Sequence, residues 1–112
     1  MRPILSAVFA LVIAAGLGAG PAVAQDQTVT LVIKNHRFDK AEIELPANKR
    51  ITLVVKNEDP TPEEFESHEL RVEKVIPGGK EIRVTIGPLK PGRYRYFGEY
   101  HEDTAVGYAT VK

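Results

Sequence analysis

The stretch that decides how the rest of the sequence is interpreted is residues 91–111, PGRYRYFGEYHEDTAVGYATV. Residues 93–97 alternate cations with aromatic rings, and this period of two is typical of a strand with two different faces. Gly98 interrupts the pattern, and residues 105–111 resume it. The stretch therefore predicts two strands joined by a polar loop.

The loop between these two strands contains four candidate metal ligands: Glu99, His101, Glu102 and Asp103. Imidazole nitrogen together with carboxylate oxygen forms a fairly hard donor set, which suits iron, copper(II), manganese or zinc. Exposed loops are also often polar without any ligand. At this point both interpretations stay open, a metal-binding loop and a solvated one.

Residues 1–24 are predicted to be a signal peptide and not part of the fold. Arg2 supplies a short positive region, residues 4–17 form an apolar run, and residues 22–24, AVA, match a small-x-small cleavage pattern. The apolar run is short for a membrane span; an uncleaved N-terminal anchor is the alternative. We therefore expect an exported protein, located in a bacterial periplasm, with residues 25–112 forming one small domain.

The composition excludes several classes of protein. The sequence has no cysteine, so it can form no disulfide and no lipid-modified lipoprotein N-terminus. Its 15 basic and 15 acidic side chains give a formal net charge of zero, and this balance argues against nucleic-acid binding.

Short alternating segments continue through the rest of the chain. Six of them are predicted strands: 28–34, 41–45, 50–56, 80–86, 93–97 and 105–111. Residues 65–75 are extended with mixed polarity, and turns containing proline or glycine separate the segments. About seven strands without a helical period predict an all-β fold, an antiparallel sandwich.

Three motifs in this order resemble the cupredoxin-like family. They are FDKAEIELPAN at residues 38–48, VKNED at residues 55–59, and PGRYRYFGEYH at residues 91–101, followed by Gly107. The resemblance implies a cupredoxin-like Greek-key β-sandwich as a single domain after the signal peptide.

Two further runs narrow the resemblance. PEEFESHE at residues 62–69 and FGEYHEDTA at residues 97–105 are similar to the small periplasmic cupredoxin-like component of bacterial ferrous-iron transport systems, which is related to the N-terminal domain of the iron-uptake protein EfeO. This similarity implies a bound copper or iron ion and a role in Fe(II) oxidation or transfer. It also implies two partners, a periplasmic iron-binding protein and a membrane iron permease. The expected assembly is a monomer or weak dimer.

The departures from the cupredoxin pattern limit which side chains can bind a metal and which type of metal site can form. The cysteine of blue-copper proteins falls on Gly98 and their C-terminal histidine on His101. The axial methionine falls on residues 104–105, and the upstream histidine falls on residues 63–64, which are both glutamate. Without a thiolate, a blue-copper electron-transfer site is excluded. Any metal must be bound by carboxylates and imidazoles.

Three loops meet at one end of a cupredoxin sandwich, and each of them contributes donors here. The predicted metal ligands are His36, Glu64, Glu66, Glu99 and His101.

The arguments for these ligands are local. If the chain is extended there, His36 shares a strand face with Phe38, which we expect in the core. Alternation places Glu64, Glu66 and His68 on the face opposite Phe65. Glu64 and Glu66 also resemble the carboxylates of the EfeO-like domain.

The neighbouring polar residues are expected to be secondary. Glu63 stays possible as a ligand, and His68 is expected at the rim of the site. Glu102 and Asp103 are expected to face water.

Other functions stay open at the level of the sequence. The alternative is a metal-free β-sandwich that docks on a membrane permease or another partner protein. A hydrolase with paired carboxylates is not expected, because so small a domain leaves little room for a substrate cleft. Whether the protein is an enzyme stays open at this level, and Fe(II) oxidation is the one reaction that the resemblance implies.

Overall fold

The alternating segments form strands throughout the part of the chain that the computed structural model describes, residues 27–112. The predicted signal peptide lies outside these residues. The described strands are β1 (Gln27–Lys34), β2 (Arg37–Phe38), β3 (Glu42–Leu45), β4 (Ile51–Asn57), β5 (Glu63–Ser67), β6 (Val72–Ile76), β7 (Glu81–Ile86), β8 (Gly92–Gly98) and β9 (Val106–Val111). A single 3₁₀ turn, Glu99–His101, connects β8 to β9. Within residues 27–112, no helix is long and apolar enough to span a membrane.

The strands form two sheets that pack face to face. One sheet has four strands in the order β2-β1-β4-β7, and the other has five in the order β3-β9-β8-β5-β6. The expected all-β sandwich is confirmed. The expectation of purely antiparallel pairing is wrong for two pairs, since β1 and β4 run parallel, as do β3 and β9. Alternation of polar and apolar residues reports which face of a strand is buried, but it carries no information about the direction of the neighbouring strand.

The segment 65–75 is a hairpin and not one extended run. β5 and β6 are antiparallel partners, and the turn between them contains neither glycine nor proline. Arg71 adopts a left-handed conformation with φ of 61°, and the Ser67 hydroxyl accepts the N–H of Leu70 at 3.1 Å. These contacts replace the turn signals that sequence reasoning relies on, and this is why the hairpin was not predicted.

The core lies between the two sheets and is centred on three aromatic rings. Phe38, Phe65 and Tyr96 pack with centroid separations of 5.0 to 5.9 Å, so the core position expected for Phe38 is confirmed. The Tyr96 hydroxyl donates to the carbonyl of Lys40 at 2.7 Å. A Cβ atom at Gly107 would lie 2.5 Å from the Tyr96 ring, so this close packing requires glycine.

The end of β8 determines the local geometry of the candidate site. The ladder between β5 and β8 pairs Glu66 with Phe97 and Phe65 with Gly98. Beyond that pair β5 continues with Glu63 and Glu64, whereas β8 ends and the chain enters the 3₁₀ turn. The turn therefore lies beside the first two residues of β5.

Candidate metal centre

Four carboxylates meet where the 3₁₀ turn passes the β5–β6 hairpin. Glu64 and Glu66 lie on the face of β5 opposite the core residue Phe65, Glu73 is the cross-strand partner of Glu66, and Glu99 begins the turn. One oxygen of each of the four lies within 4.8 Å of the others. We call these four residues the carboxylate cluster.

The contacts within the carboxylate cluster raise the pKa values of two of its members, Glu64 and Glu66. A hydrogen bond with the carboxyl of Glu99 raises the pKa of Glu64 to about 7, and burial and the charges of Glu99, Glu73 and Glu66 add to the effect. The pKa of Glu66 is also raised, first by burial and then by Glu99. Like charges directly opposite each other on neighbouring strands are destabilising. Glu64 and Glu66 are therefore more readily protonated than ordinary glutamates, and a bound cation would offset the repulsion between the carboxylates.

Glu66 has an unusual environment for a carboxylate. Its side chain is only 9% exposed, and among the described residues its Oε1 atom has no hydrogen-bond partner. Its Oε2 atom lies 3.4 Å from Nε2 of the exposed His68. Buried side-chain oxygens are nearly always hydrogen-bonded, and leaving one unpaired is costly. An unpaired carboxylate oxygen beside three other carboxylates makes the carboxylate cluster the candidate cation-binding site among the described residues.

Glu63 directly precedes Glu64 in sequence. It points to the other side of β5, and both of its carboxylate oxygens have hydrogen-bond partners. Its side chain is 2% exposed. Oε1 accepts the backbone N–H of Tyr100 at 2.8 Å and of Glu64 at 3.0 Å, and Oε2 lies 2.6 Å from Nδ1 of His101. Because a carboxylate only accepts, the proton in this contact is assigned to Nδ1.

The two histidines of the predicted site lie together with Glu63. The rings of His36 and His101 are stacked, with centroids 3.4 Å apart and an angle of 11° between their planes. His36 has a φ of 57° and lies in a left-handed turn, so the strand face that it would share with Phe38 in an extended chain does not form. We call His36, His101 and Glu63 the histidine cluster.

Asp59 holds the left-handed turn in place. Its two carboxylate oxygens accept the N–H groups of Asn35 and His36 at 2.7 and 2.9 Å, and Thr104 donates its hydroxyl to the carbonyl of His36. Burial alone would raise the pKa of Asp59, but the two N–H donors and the nearby histidines lower it below its usual value. Both carboxylate oxygens of Asp59 are thus occupied by hydrogen bonds from backbone N–H groups.

The five predicted ligands therefore fall into two neighbouring groups. Glu64, Glu66 and Glu99 come together and are joined by Glu73, whereas His36 and His101 lie in the histidine cluster.

Sequence reasoning did not single out Glu73, because the β5–β6 hairpin that brings it beside Glu66 was not predicted. Glu63 ranked low, although alternation with Phe65 already placed it on the core face. Glu102 and Asp103 are exposed, as expected.

The residues present do not fit a blue-copper centre. There is no cysteine in the sequence, and the position where the family has one is Gly98. A Cβ atom there would lie 2.6 Å from Cδ of Glu63, so the Glu63 carboxyl fills the space of a side chain at that position. Nδ1 of His101 is already bonded to the same carboxyl. The parallel stack of His36 on His101 does not direct both rings at one ion.

Comparison with known proteins supports the family. A family model described as cupredoxin-like domain matches residues 6–111. The uncharacterized protein RP394 of Rickettsia prowazekii (strain Madrid E) is 43% identical over 83 residues, a match that covers 74% of this chain and 66% of that protein, just under two thirds of its length.

Solved structures share the fold at low sequence identity. Auracyanin A, a blue copper protein from Chloroflexus aurantiacus, superposes with a TM-score of 0.67 at 15% identity, covering 79% of this chain and 100% of its own. A purple cupredoxin from Nitrosopumilus maritimus gives a TM-score of 0.56 at 18% identity, covering 78% and 100%. These similarities confirm the expected cupredoxin-like sandwich, and at such identities they concern the fold alone.

Proposed function

The chain belongs to the cupredoxin-like domain family, and on this premise we propose that it is a metal-binding protein that takes up and hands on iron in a bacterial iron-uptake system. The iron context comes from the resemblance of residues 62–69 and 97–105 to the cupredoxin-like component of ferrous-iron transport systems. The signal peptide predicted for residues 1–24 supports the proposal of a periplasmic location. A periplasmic iron-binding protein and a membrane iron permease are the proposed partners.

The observation that carries the proposal is the carboxylate cluster. It offers four carboxylate groups, one of them with a buried unpaired oxygen, and neither thiolate nor imidazole is among them. Oxygen donors of this kind suit hard cations, and soft ions such as Cu(I) select sulfur. Four acidic groups around one ion also favour a high cation charge, and this matches Fe(III) better than a monovalent or soft ion.

The exposure of the cluster fits a transfer role. Glu73 and Glu99 are exposed, Glu64 is half-buried, and Glu66 alone is buried. An ion bound here would keep contact with water on one side, so it could enter and leave without opening the sandwich. A resident cofactor would be expected deeper in the core.

The same ligand set would favour oxidation of iron. Carboxylates bind Fe(III) more strongly than Fe(II), so binding makes loss of an electron from Fe(II) easier. With dioxygen as the oxidant, four Fe(II) ions give up one electron each to one dioxygen molecule, which takes up four protons and leaves as two water molecules. The cluster would supply the binding energy for Fe(III) in this step.

The test is a metal titration of four proteins: the wild type, Glu66→Gln, Glu99→Gln and Glu102→Gln. The third variant is the matched control, since Glu102 is an exposed acid directly after the same turn and outside the cluster. Anaerobic Fe(II) and the redox-inert trivalent ion Ga(III) are the probes. We expect the two cluster variants to bind at least about tenfold more weakly than the wild type and the control to bind normally.

The identity of the cargo needs a separate measurement. Sites of nitrogen and oxygen ligands generally bind Cu(II) more tightly than Fe(II), so affinity alone does not show whether the natural cargo is copper or iron. The metal content of untagged protein purified from iron-replete bacteria identifies the cargo. Equal affinity in all four proteins would place the metal elsewhere, and a wild type that binds none of these ions would favour the metal-free docking module.

A further inference from the structure

We propose that Glu63 is a positioning residue of the carboxylate cluster: its buried carboxylate holds the 3₁₀ turn that carries Glu99 against the start of β5. This inference rests on the proposed function, because it gives Glu63 a role in that metal site. Glu63 is not one of the four cluster residues. It would act from the opposite face of β5, through the backbone.

The register of the sheet shows why a side chain is needed there. The β5–β8 ladder consists of the pairs Glu66↔Phe97 and Phe65↔Gly98. Beyond this ladder, the first two residues of β5 lie beside the 3₁₀ turn and no longer beside β8. Oε1 of Glu63 accepts the N–H of Tyr100 at 2.8 Å, and so connects β5 to the turn where the backbone ladder has ended.

The backbone is held on both sides of Glu99, and the contact with Glu63 is the second of these two holds. Before it, the N–H of Gly98 donates to the carbonyl of Ala105 at 2.9 Å. After it, the N–H of Tyr100 donates to Glu63. The same Glu63 oxygen also accepts the N–H of Glu64 at 3.0 Å. One carboxylate therefore holds the backbone beside two of the four cluster residues, which approach from different elements.

The surroundings of Glu63 leave it little freedom to move. Its Oε2 is fixed by Nδ1 of His101, the last residue of the turn. Cδ of Glu63 would lie 2.6 Å from a Cβ atom at position 98, a contact that only glycine avoids. Gly98 itself has an extended backbone with φ of −96°, which other residues adopt readily. Glycine at this position is thus explained by the carboxyl group beside it and not by backbone strain.

A metal site needs its ligands held within about 0.5 Å of their binding positions by surrounding contacts. Backbone hydrogen bonds from Gly98 to Ala105 and from Ala105 to His101 close the turn that carries Glu99 on itself. The contacts of Glu63 are the ones that tie this turn to the start of β5, where the ladder has ended. Loss of Glu63 would leave the four carboxylates in the protein but let Glu99 move away from the other three. The expected consequence is weaker metal binding without loss of any ligand.

The experiment compares Glu63→Ala and Glu63→Gln with a core control, Leu45→Ala, in the full chain. Leu45 is 3% exposed and pairs with Val111, at the end of β9 far from the turn. Glu63→Gln keeps an oxygen for the N–H of Tyr100, and His101 can accept from the new amide by moving its proton to Nε2. Each protein is titrated with Ga(III) and Fe(II) at a temperature where circular dichroism shows that it is folded.

The expected results separate positioning from general stability. Glu63→Ala should bind at least about tenfold more weakly, whereas Glu63→Gln should stay within about threefold of the wild type. Leu45→Ala should bind normally despite its lower melting temperature. Gly98→Ala, which pushes on the carboxyl without removing it, should also bind more weakly. Amide hydrogen exchange of Tyr100 should be fast in Glu63→Ala and protected in Glu63→Gln.

Two outcomes would overturn the inference in different ways. Wild-type affinity in Glu63→Ala, or an equal loss in Leu45→Ala, would reject the positioning role and leave the proposed function intact. A wild type that binds neither probe would reject the proposed function, and the role of Glu63 in it would fall as well.

Discussion

The carboxylate cluster and the histidine cluster lie on opposite faces of β5, and their glutamates have opposite environments. Glu63, in the histidine cluster, makes three hydrogen bonds and is almost completely buried. Glu66, three residues later and nearly as buried, has one oxygen without a partner and three carboxylates for neighbours. The comparison shows that burial alone does not identify a functional acid. What distinguishes the two is whether the protein itself satisfies the carboxylate.

The largest expected effect comes from removing the carboxylate of Glu63 or of Glu66 in the metal-free protein, which tests whether the two acids contribute differently to stability. Glu63→Ala should lower the free energy of unfolding by about 1–3 kcal/mol for each group left unsatisfied, because the part-buried N–H of Tyr100 and Nδ1 of His101 lose their acceptor. Glu66→Gln should leave stability unchanged or increase it, since it removes one of four repelling charges. Urea denaturation of both variants beside the wild type measures the difference. Equal losses in the two variants would mean that Glu66 is a structural acid like Glu63.

The second prediction concerns pH and the repulsion within the carboxylate cluster. The pKa of Glu64 is about 7 in the folded chain, above the ordinary value of 4.5, because of its contact with Glu99 and its burial. Between these values the folded state binds more protons than the unfolded state, so this contribution to stability is complete below pH 4.5 and is lost as the pH rises through 7. The metal-free wild type should therefore melt at progressively lower temperature, relative to Glu64→Gln, as the pH rises from about 4.5 to 8.

The control for this pH dependence is the protein saturated with metal. A bound cation should keep the carboxylates ionised. Its affinity should rise with pH because fewer protons have to be displaced, so the melting temperature of the metal-saturated protein should be higher at pH 8 than at pH 6. If the melting temperatures of the metal-free wild type and Glu64→Gln changed equally with pH across this range, the pKa of Glu64 would not be raised by its contact with the other carboxylates.

How far the sequence predicts this molecule depends on the range of the contacts involved. Alternating residues identified most strands and placed Phe65 on the face opposite Glu64 and Glu66, because the period of two follows from local backbone geometry. The sequence also pointed to Glu64, Glu66 and Glu99, although only the structure shows them together.

The parts that the sequence did not predict depend on pairing and on left-handed turns. Glu73 joins the cluster through a hairpin closed by Arg71 with φ of 61°, and arginine is not a residue that signals such a turn. His36 also adopts a positive φ, and this directs its ring onto His101 in place of the carboxylates. Such conformations are stabilised by distant groups such as Asp59, which is 23 residues away in sequence.

The last prediction concerns the smallest expected effect and tests whether the histidine cluster takes part in metal binding. His36→Asn removes the ring that stacks on His101 but keeps a residue that tolerates the left-handed backbone and the N–H that Asp59 accepts. A stacked aromatic pair contributes about 0.5–1.5 kcal/mol, so unfolding should become easier by about that amount. Because no oxygen of the carboxylate cluster is touched, affinity for Ga(III) should stay within about twofold of the wild type. A loss of tenfold or more would instead make the stacked histidines part of the metal site and remove the distinction between the two clusters.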